Sequence, residues 1–229
     1  MIPLNFLWFQ AATDAAEEGE KQNLIDIITA GGPISIVIFS ILLLLSVMAL
    51  YIFIERWLTI KRAGKVDDNF MNNIRAAVVA GNIQGAKALC ASTDTPTARM
   101  VEKGLNRIGK PLKEIDAAIE NVGNLEIFKL EKGLSTLASI AGAAPMIGFF
   151  GTVTGMIIAF HTMATADSVG PAQLAGGIYQ ALTTTAFGLF IGIIAFVGYN
   201  LLVARVDKAV FNMEKSTVDF MDLLQEPSN

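Results

Sequence analysis

Three long apolar stretches dominate the pattern of hydrophobic and polar positions in this chain. They cover residues 33–55, 134–160 and 178–203. Each exceeds the roughly 20 residues that a helix needs to cross the hydrocarbon core of a bilayer. Apart from Glu55 at the rim of the first stretch, none of them contains Asp, Glu, Lys, Arg or His. The pattern therefore predicts an all-α membrane protein with three transmembrane helices.

The segment between the first two stretches, residues 56–133, has the spacing of short packed helices. A break is predicted at Gly81 and Asn82, and a linker over residues 92–96. Residues 113–132 predict one helix with a single apolar stripe, which leads into the second span without a break signal before Gly142 and Pro145. The stripe consists of Ile115, Ile119, Val122, Leu125, Ile127, Phe128 and Leu130.

Residues 204–229 repeat the helical spacing after the third stretch. The apolar positions are Val206, Val210, Met213, Phe220, Met221 and Leu224. The second and third membrane helices are therefore both predicted to extend beyond the membrane as amphipathic helices. An amphipathic stripe of this kind needs a partner surface to cover it.

Basic residues predict the orientation in the membrane. Thirteen of the 17 Lys and Arg residues lie within residues 56–133, whereas residues 161–177 have none and residues 1–32 have only Lys21 against five acidic residues. Segments that stay in the cytoplasm carry an excess of Lys and Arg. We therefore expect residues 1–32 and 161–177 on the outer side of the membrane, and residues 56–133 and 204–229 in the cytoplasm. The N-terminus would lie outside and the C-terminus inside.

The first nine residues are apolar and rich in aromatic side chains. They predict an interfacial helix with Phe6, Trp8 and Phe9 at the level of the lipid headgroups. A signal peptide cleaved near residues 10–12 is the alternative. The absence of Lys and Arg from its first residues argues against it.

Composition excludes several classes of function. Of the 229 residues, 53% are hydrophobic and 17% are charged, against roughly 25% charged in soluble domains. The net charge of −4 and the absence of a basic cluster interleaved with aromatic residues argue against nucleic-acid binding. Cys90 and His161 are the only residues of their types. We therefore expect no metal site, no cofactor and no catalytic residues.

Small residues fall in register along the second span. Gly151, Gly155 and Ala159 are four residues apart on one face, and Gly148 and Thr152 form a second row beside it. Small side chains let membrane helices approach closely. The glycines predicted to pack helices are Gly148, Gly151, Gly155 and Gly188.

Hydroxyl and amide side chains also occur inside the second and third spans. Thr183, Thr184 and Thr185 are consecutive, so at 100° per residue they cannot all face one partner. Any single threonine can bond its own helix four residues back, which remains the alternative for each of them. Taken together, Thr152, Gln180, Thr184 and Thr185 could form a polar strip that lines a cavity between helices.

These motifs carry a resemblance to a known family. Residues 144–156 read Ala-Pro-Met-Ile-Gly-Phe-Phe-Gly-Thr-Val-Thr-Gly-Met, and residues 180–189 read Gln-Ala-Leu-Thr-Thr-Thr-Ala-Phe-Gly-Leu. Tyr199-Asn200, Ile54-Glu55-Arg56 and residues 130–134 add to the match. The chain resembles the MotA/TolQ/ExbB proton-channel family, and most closely its ExbB and TolQ branch.

The resemblance implies a homopentamer in the bacterial inner membrane, with the second and third spans around a central pore. It also implies a single-span partner of the ExbD or TolR type, standing in the pore as a dimer, and a protein of the TonB or TolA type. Proton flow would energise outer-membrane transport or envelope integrity. By motif, Thr152 and Thr185 would line the pore.

One position departs from the family pattern. Family members often carry a glutamate in the third span where this chain has Gln180. Glutamine can hydrogen-bond but cannot take up or release a proton. A proton path would then need water, hydroxyls and a carboxylate from the partner. The alternative function is a structural membrane scaffold that uses the same glycines for packing and conducts no ions.

Overall fold

The fold is helical throughout the part of the chain that the computed structural model describes, residues 32–64, 68–165 and 170–225. Of these residues 91% are helical, and none lies in a strand. The predicted all-α class is confirmed. The interfacial helix and its signal-peptide alternative fall within residues 1–31, outside the described residues.

The helices follow the hydrophobic pattern closely. Within the described ranges they are α1 (Gly32–Ala63), α2 (Asp68–Val79), α3 (Ile83–Ser92), α4 (Pro96–Leu105), α5 (Leu112–Glu131), α6 (Leu134–Thr165) and α7 (Pro171–Gln225). Three helical stretches are long and apolar enough to cross a membrane, one in each of α1, α5–α6 and α7. The three predicted membrane-crossing helices are thereby confirmed.

Helix α7 joins the third span and its amphipathic extension without interruption. It contains 55 residues, which at 1.5 Å per residue is roughly 80 Å. The hydrocarbon core accounts for only about 30 Å of that length. The predicted continuity of the third span with the following amphipathic segment is therefore present as one helix.

The predicted continuity of the second span with the preceding helix is wrong. Helix α5 ends at Glu131 and α6 begins at Leu134, because Gly133 adopts a φ of 83°, a left-handed conformation that glycine reaches without a steric penalty. Helix α6 continues through Gly142 and Pro145, the first positions at which the sequence carries a break signal, and Pro145 lies inside it. Membrane helices tolerate such a proline when neighbouring groups satisfy the freed backbone carbonyl.

Capping residues explain the ends of the short helices. Gly81, with a φ of 71°, ends the turn after α2, and the Asn82 side chain accepts a hydrogen bond of 2.8 Å from the N–H of Gly85. At the start of α4 the Thr95 hydroxyl accepts one of 3.3 Å from Ala98, and Pro96 takes the first helical position. Both helices begin where the sequence predicts a break or a linker.

The described residues divide into two compact units. One comprises the first part of α1 with residues 143–191, and the other comprises residues 47–142 and 192–225. In the first unit, the rings of Phe39 and Phe187 pack edge to face with centroids 5.6 Å apart. This aromatic contact holds α1 against α7 within that unit.

The core of the second unit forms where α4, α5 and α7 meet. A Cβ atom placed on Gly104 would lie 2.5 Å from the Phe220 ring and 2.8 Å from Ile119 Cδ1. Leu105, Ile119 and Phe220 are almost fully buried. The amphipathic end of α7 therefore covers its apolar face against α4 and α5, as its pattern requires.

The apolar stripe predicted for α5 is buried only in part. Ile115, Ile119 and Leu130 are buried, but Leu125 and Phe128 are 63% and 73% exposed. A carboxylate takes an inner position instead, because the Glu126 side chain is only 5% exposed. The pattern of apolar residues alone therefore gave the wrong inner face for the second half of α5.

Two cations hold the buried carboxylate of Glu126. The Arg99 guanidinium donates to it at 2.6 Å and the Lys129 ammonium at 2.7 Å. Burial opposes ionisation of this carboxyl, but the two donated hydrogen bonds outweigh burial, so the pKa of Glu126 is lowered. The hydrogen bond to Glu126, with a further contribution from Asp94, outweighs burial and raises the pKa of Arg99. The cluster ties α4 to α5 as a charged pair that stays ionised near neutral pH.

Replacing Glu126 by glutamine is expected to lower the free energy of unfolding at pH 7 by about 1–3 kcal/mol, the usual cost of unpairing a buried polar group. Because the folded pKa is depressed, the wild-type contribution is complete above the ordinary pKa of glutamic acid. It is lost as the pH falls below that value towards the folded pKa. The free energy of unfolding of Glu126→Gln should therefore fall less steeply than that of the wild type as the pH is lowered from 7 to 3. Thermal unfolding of the full chain in detergent between pH 3 and 7 measures both effects.

The matched control is Glu120→Gln, which changes an exposed carboxylate on the same helix. It should leave both the unfolding temperature and its pH dependence within experimental error of the wild type. Equal behaviour of the two variants would show that the Glu126 cluster contributes nothing to stability.

Candidate functional site

Within the first unit, α6 and α7 approach until their backbones touch. A Cβ atom on Gly188 would lie 2.6 Å from the carbonyl oxygen of Ala144 and 2.9 Å from the Cα of Gly148. One on Gly148 would lie 2.8 Å from the carbonyl oxygen of Thr184. Real Cβ atoms do not come so close to backbone, so only glycine fits at these two positions.

Two further glycines of α6 face the same surface of α7. A Cβ atom on Gly151 would lie 2.5 Å from Thr184 Oγ1, and one on Gly155 would lie 2.8 Å from the Cβ of Ala181. The two small-residue rows predicted for the second span therefore meet the same partner helix. We call this contact surface the Thr/Gly seam; it comprises Gly148, Gly151, Thr152 and Gly155 of α6 with Ala181, Thr184, Thr185 and Gly188 of α7.

Three threonine hydroxyls gather around one backbone carbonyl in the Thr/Gly seam. The oxygen of Gly148 lies 3.0 Å from Thr185 Oγ1, 3.2 Å from Thr184 Oγ1 and 3.4 Å from Thr152 Oγ1. The hydroxyls of Thr152 and Thr185 also hydrogen-bond each other across the two helices. The role of the Gly148 carbonyl as a shared acceptor could not be predicted from the sequence, because every residue carries a backbone carbonyl.

A second carbonyl, that of Ala181, is an alternative acceptor for two of these three hydroxyls. Thr184 Oγ1 lies 2.7 Å from it and Thr152 Oγ1 lies 3.2 Å from it. A hydroxyl donates only one proton at a time but can also accept. Thr152 and Thr185 can therefore exchange donor and acceptor roles without moving their backbones, whereas Thr184 only donates, to either of two carbonyls.

The three consecutive threonines separate as the helical angle predicts. Thr184 and Thr185 face α6, whereas the Thr183 hydroxyl donates 2.8 Å to the carbonyl of Tyr179 in its own helix. The own-helix alternative is thus the arrangement found for Thr183. Thr185 bonds the opposite helix, and Thr152 bonds both the opposite helix and, at a longer distance, the carbonyl of Gly148 in its own helix.

Burial differs among the four residues predicted to form the polar strip. Thr184 is 2% exposed and Gln180 is 8% exposed, while Thr152 and Thr185 are half-buried. The structure brings Thr152, Thr184 and Thr185 into one hydrogen-bonded group. Gln180 lies one helical turn before Thr184 on α7, on the buried side of that helix.

The chemistry available in the seam is neutral. Residues 134–160 and 178–203 contain no Asp, Glu, Lys, Arg or His, so the polar atoms are hydroxyls, amides and carbonyls. Such groups can pass hydrogen bonds along a chain but cannot store a proton near neutral pH. Among the described residues, no three His, Cys, Asp or Glu side chains come together as metal ligands.

Helices of this length, with small residues at their contact and hydroxyls between them, define a multi-pass membrane protein. A family model described as the MotA/TolQ/ExbB proton channel family matches residues 92–215. This range includes the whole Thr/Gly seam and more than half of the chain. The chain belongs to the MotA/TolQ/ExbB proton channel family, which confirms the resemblance drawn from the sequence.

Similar proteins carry the names ExbB and TolQ. The biopolymer transport protein ExbB of Neisseria meningitidis serogroup A is 28% identical over 194 residues, which cover 79% of this chain and 87% of that protein. The Tol-Pal system protein TolQ of Pseudomonas aeruginosa is 36% identical over 108 residues, which cover 44% of this chain and 47% of that protein. A chain from Methanothermobacter thermautotrophicus, named as an ExbB homolog, is 33% identical over 119 residues. The match spans 52% of this chain but only 42% of that relative's length.

Proposed function

We propose that this chain is the stator-like subunit of a motor in the bacterial inner membrane that is driven by the proton-motive force. The observation that carries the proposal is the Thr/Gly seam, in which hydroxyls bridge two charge-free membrane helices of a proton-channel-family protein. Thr152, Thr184, Thr185 and Gln180 form the ion pathway, and the seam glycines hold α6 and α7 together.

The neutral seam requires a second protein. Because none of the charge-free spans can bind a proton near neutral pH, the exchangeable carboxylate comes from a single-span partner of the ExbD or TolR type. A dimer of that partner stands in a pore formed by five copies of this chain. A TonB- or TolA-type protein then carries the work to the outer membrane, in transport or in envelope integrity.

Exposed apolar side chains on α6 support assembly of several copies. Met146, Phe149, Phe150, Val153 and Ile157 are all exposed in the single chain. In a membrane protein such a face meets lipid or another protein helix. A homopentamer places part of this face against neighbouring copies.

The experiment that tests the function is reconstitution of this chain with a single-span protein of the ExbD or TolR type. Liposomes that contain both proteins should take up protons in response to a membrane potential. Liposomes with this chain alone, or with a partner whose membrane aspartate is replaced by asparagine, should not. If a stable complex forms but no partner-dependent proton uptake is measured, the structural scaffold becomes the better assignment.

The proposed topology places α2 to α5 and the end of α7 in the cytoplasm. It predicts that a cysteine replacing exposed Lys103 is shielded from an impermeant thiol reagent added to spheroplasts, whereas one replacing Ser168 is labelled. The native thiol interferes little, because Cys90 is buried and burial raises its pKa to about 12. It is nevertheless replaced by alanine in both variants. Labelling at Lys103 together with protection at Ser168 would contradict the topology.

A further inference from the structure

A cavity in the second unit has features that the ion pathway does not use. Its volume is about 520 Å³, within the ~300–1,000 Å³ typical of ligand sites. It is an open cavity beside the junction of α5 and α6 at Gly133, and the facing part of α7 lines its other side. Its residues all lie outside the Thr/Gly seam.

The lining includes both apolar residues from the ends of two predicted spans and charged residues just beyond them. Leu134 and Val203, which line the cavity, are the terminal residues of the second and third apolar stretches. Glu131, Lys132 and Asp207 also line it and lie just beyond those stretches. The cavity therefore spans the boundary between hydrocarbon and headgroups, where the acyl chains of a lipid meet its polar part.

The charged side chains at this cavity have no partner among the residues that the structure describes. Glu131, Lys132 and Asp207 form no ion pair or side-chain hydrogen bond with another described residue. Glu126, one and a half turns earlier on α5, is by contrast paired with two cations. The three groups at the cavity are thus available to a ligand that carries both signs of charge.

We infer that this cavity binds a zwitterionic glycerophospholipid whose headgroup carries a primary ammonium. Glu131 and Asp207 accept hydrogen bonds from the ammonium, Lys132 donates to the phosphate, and Leu134 and Val203 contact the start of the acyl chains. Charge-assisted hydrogen bonds of this kind are the strong ones. An anionic lipid fits worse, because two carboxylates and one ammonium leave the lining with a net negative charge.

Aromatic side chains also suit an ammonium headgroup, whether primary or quaternary. Phe128 and Tyr199 line the cavity, and the face of an aromatic ring attracts an ammonium group. This also explains why Phe128, at 73% exposed, occupies an outer position on a helix whose pattern predicts it inside. The bound lipid would cover a part of that ring.

The test is native mass spectrometry of the full-length oligomer titrated with phosphatidylethanolamine, phosphatidylcholine and phosphatidylglycerol of identical acyl chains. Phosphatidylethanolamine should bind about tenfold more tightly than phosphatidylglycerol, as expected for one or two charge-assisted hydrogen bonds. Phosphatidylcholine, whose quaternary ammonium has no N–H, should fall between them. The readout needs neither the partner protein nor proton flux, so it is independent of the proposed function.

Three variants make the result specific. Glu131→Gln combined with Asp207→Asn should bring phosphatidylethanolamine and phosphatidylglycerol to equal affinity. Lys132→Gln should weaken all three lipids several-fold. The control, Glu120→Gln combined with Asp222→Asn, removes two exposed carboxylates elsewhere and should change neither affinity nor order.

Three results would overturn the inference. One is equal retention of the three lipids by the wild type, and another is an unchanged preference in the Glu131→Gln, Asp207→Asn variant. The third is a combined result: the wild type carries no lipid adduct, and the oligomer mass of the Glu131→Gln, Asp207→Asn variant differs from that of the wild type. That result would assign the cavity to a contact between copies of the chain.

Discussion

Valine at both position 152 and position 185 is expected to abolish partner-dependent, proton-motive-force-driven transport while the complex still assembles. Valine keeps the shape of threonine but removes the hydroxyl, so the hydrogen bond between Thr152 and Thr185 and their bonds to the opposite helix disappear. Packing of α6 on α7 is retained, because the seam glycines are unchanged. Hydrogen bonds between membrane helices contribute on average only about 0.6 kcal/mol each, so assembly should survive.

Neighbouring threonines provide the matched control. Thr183→Val and Thr154→Val each remove a hydroxyl that bonds only carbonyls of its own helix. Both single variants should support normal transport, with a normal mass of the complex. Full activity in the Thr152→Val, Thr185→Val variant would remove the pathway role from the seam and leave only packing.

The same pathway predicts that Gln180→Glu is tolerated. A charged side chain at the centre of a membrane helix costs ~2.5–3.5 kcal/mol on insertion scales unless it is hydrated or paired, and this is an upper bound for Gln180, which lies near the start of the stretch 178–203. A hydrated pathway relieves that cost at Gln180. Leu182→Glu, on the exposed face of the same helix, is the control that should disturb assembly. If Gln180→Glu fails to assemble as Leu182→Glu does, the surroundings of Gln180 are dry.

Gly188→Ala should cause the largest loss of stability of any single methyl addition in the Thr/Gly seam. The new Cβ would lie 2.6 Å from the carbonyl oxygen of Ala144 and 2.9 Å from the Cα of Gly148, and backbone atoms cannot rotate away as a flexible side chain can. Overpacking of this kind costs typically 1–3 kcal/mol, and we expect the upper end. Unfolding in a graded detergent series, followed by circular dichroism, measures it.

Gly176→Ala is the control for this change. Gly176 lies on the same helix, and a Cβ atom there would meet nothing within 4 Å. Alanine also has the higher helix propensity, so this variant should be as stable as the wild type or slightly more stable. Equal stability of Gly188→Ala and the wild type would mean that α6 and α7 do not pack as closely in the membrane.

The broad plan of the molecule could be predicted from the sequence because it depends on local composition. Apolar length alone identifies a membrane helix, since hydrocarbon offers the backbone no other hydrogen-bond partner. The short helices before α5 were also predictable, because Gly81, Asn82 and Thr95 act on their immediate neighbours. Motifs around Pro145 and Thr184 were sufficient to indicate the family.

Tertiary structure decided the features that depend on which groups meet. Gly133, and not Pro145, interrupts the helix, because a left-handed residue redirects the chain whereas a membrane helix can absorb a proline. Glu126 takes an inner position because Arg99 and Lys129 compensate its charge, which a count of apolar positions cannot show.

Some features of the Thr/Gly seam could likewise be predicted from the sequence, and others depend on the tertiary structure. Helical spacing predicted that its glycines would pack and that the three consecutive threonines would diverge. The convergence of the Thr152, Thr184 and Thr185 hydroxyls on the Gly148 carbonyl depends on how closely two distant helices approach. That distance is set by backbone contact at Gly148 and Gly188, a property of the pair of helices and not of either sequence segment alone.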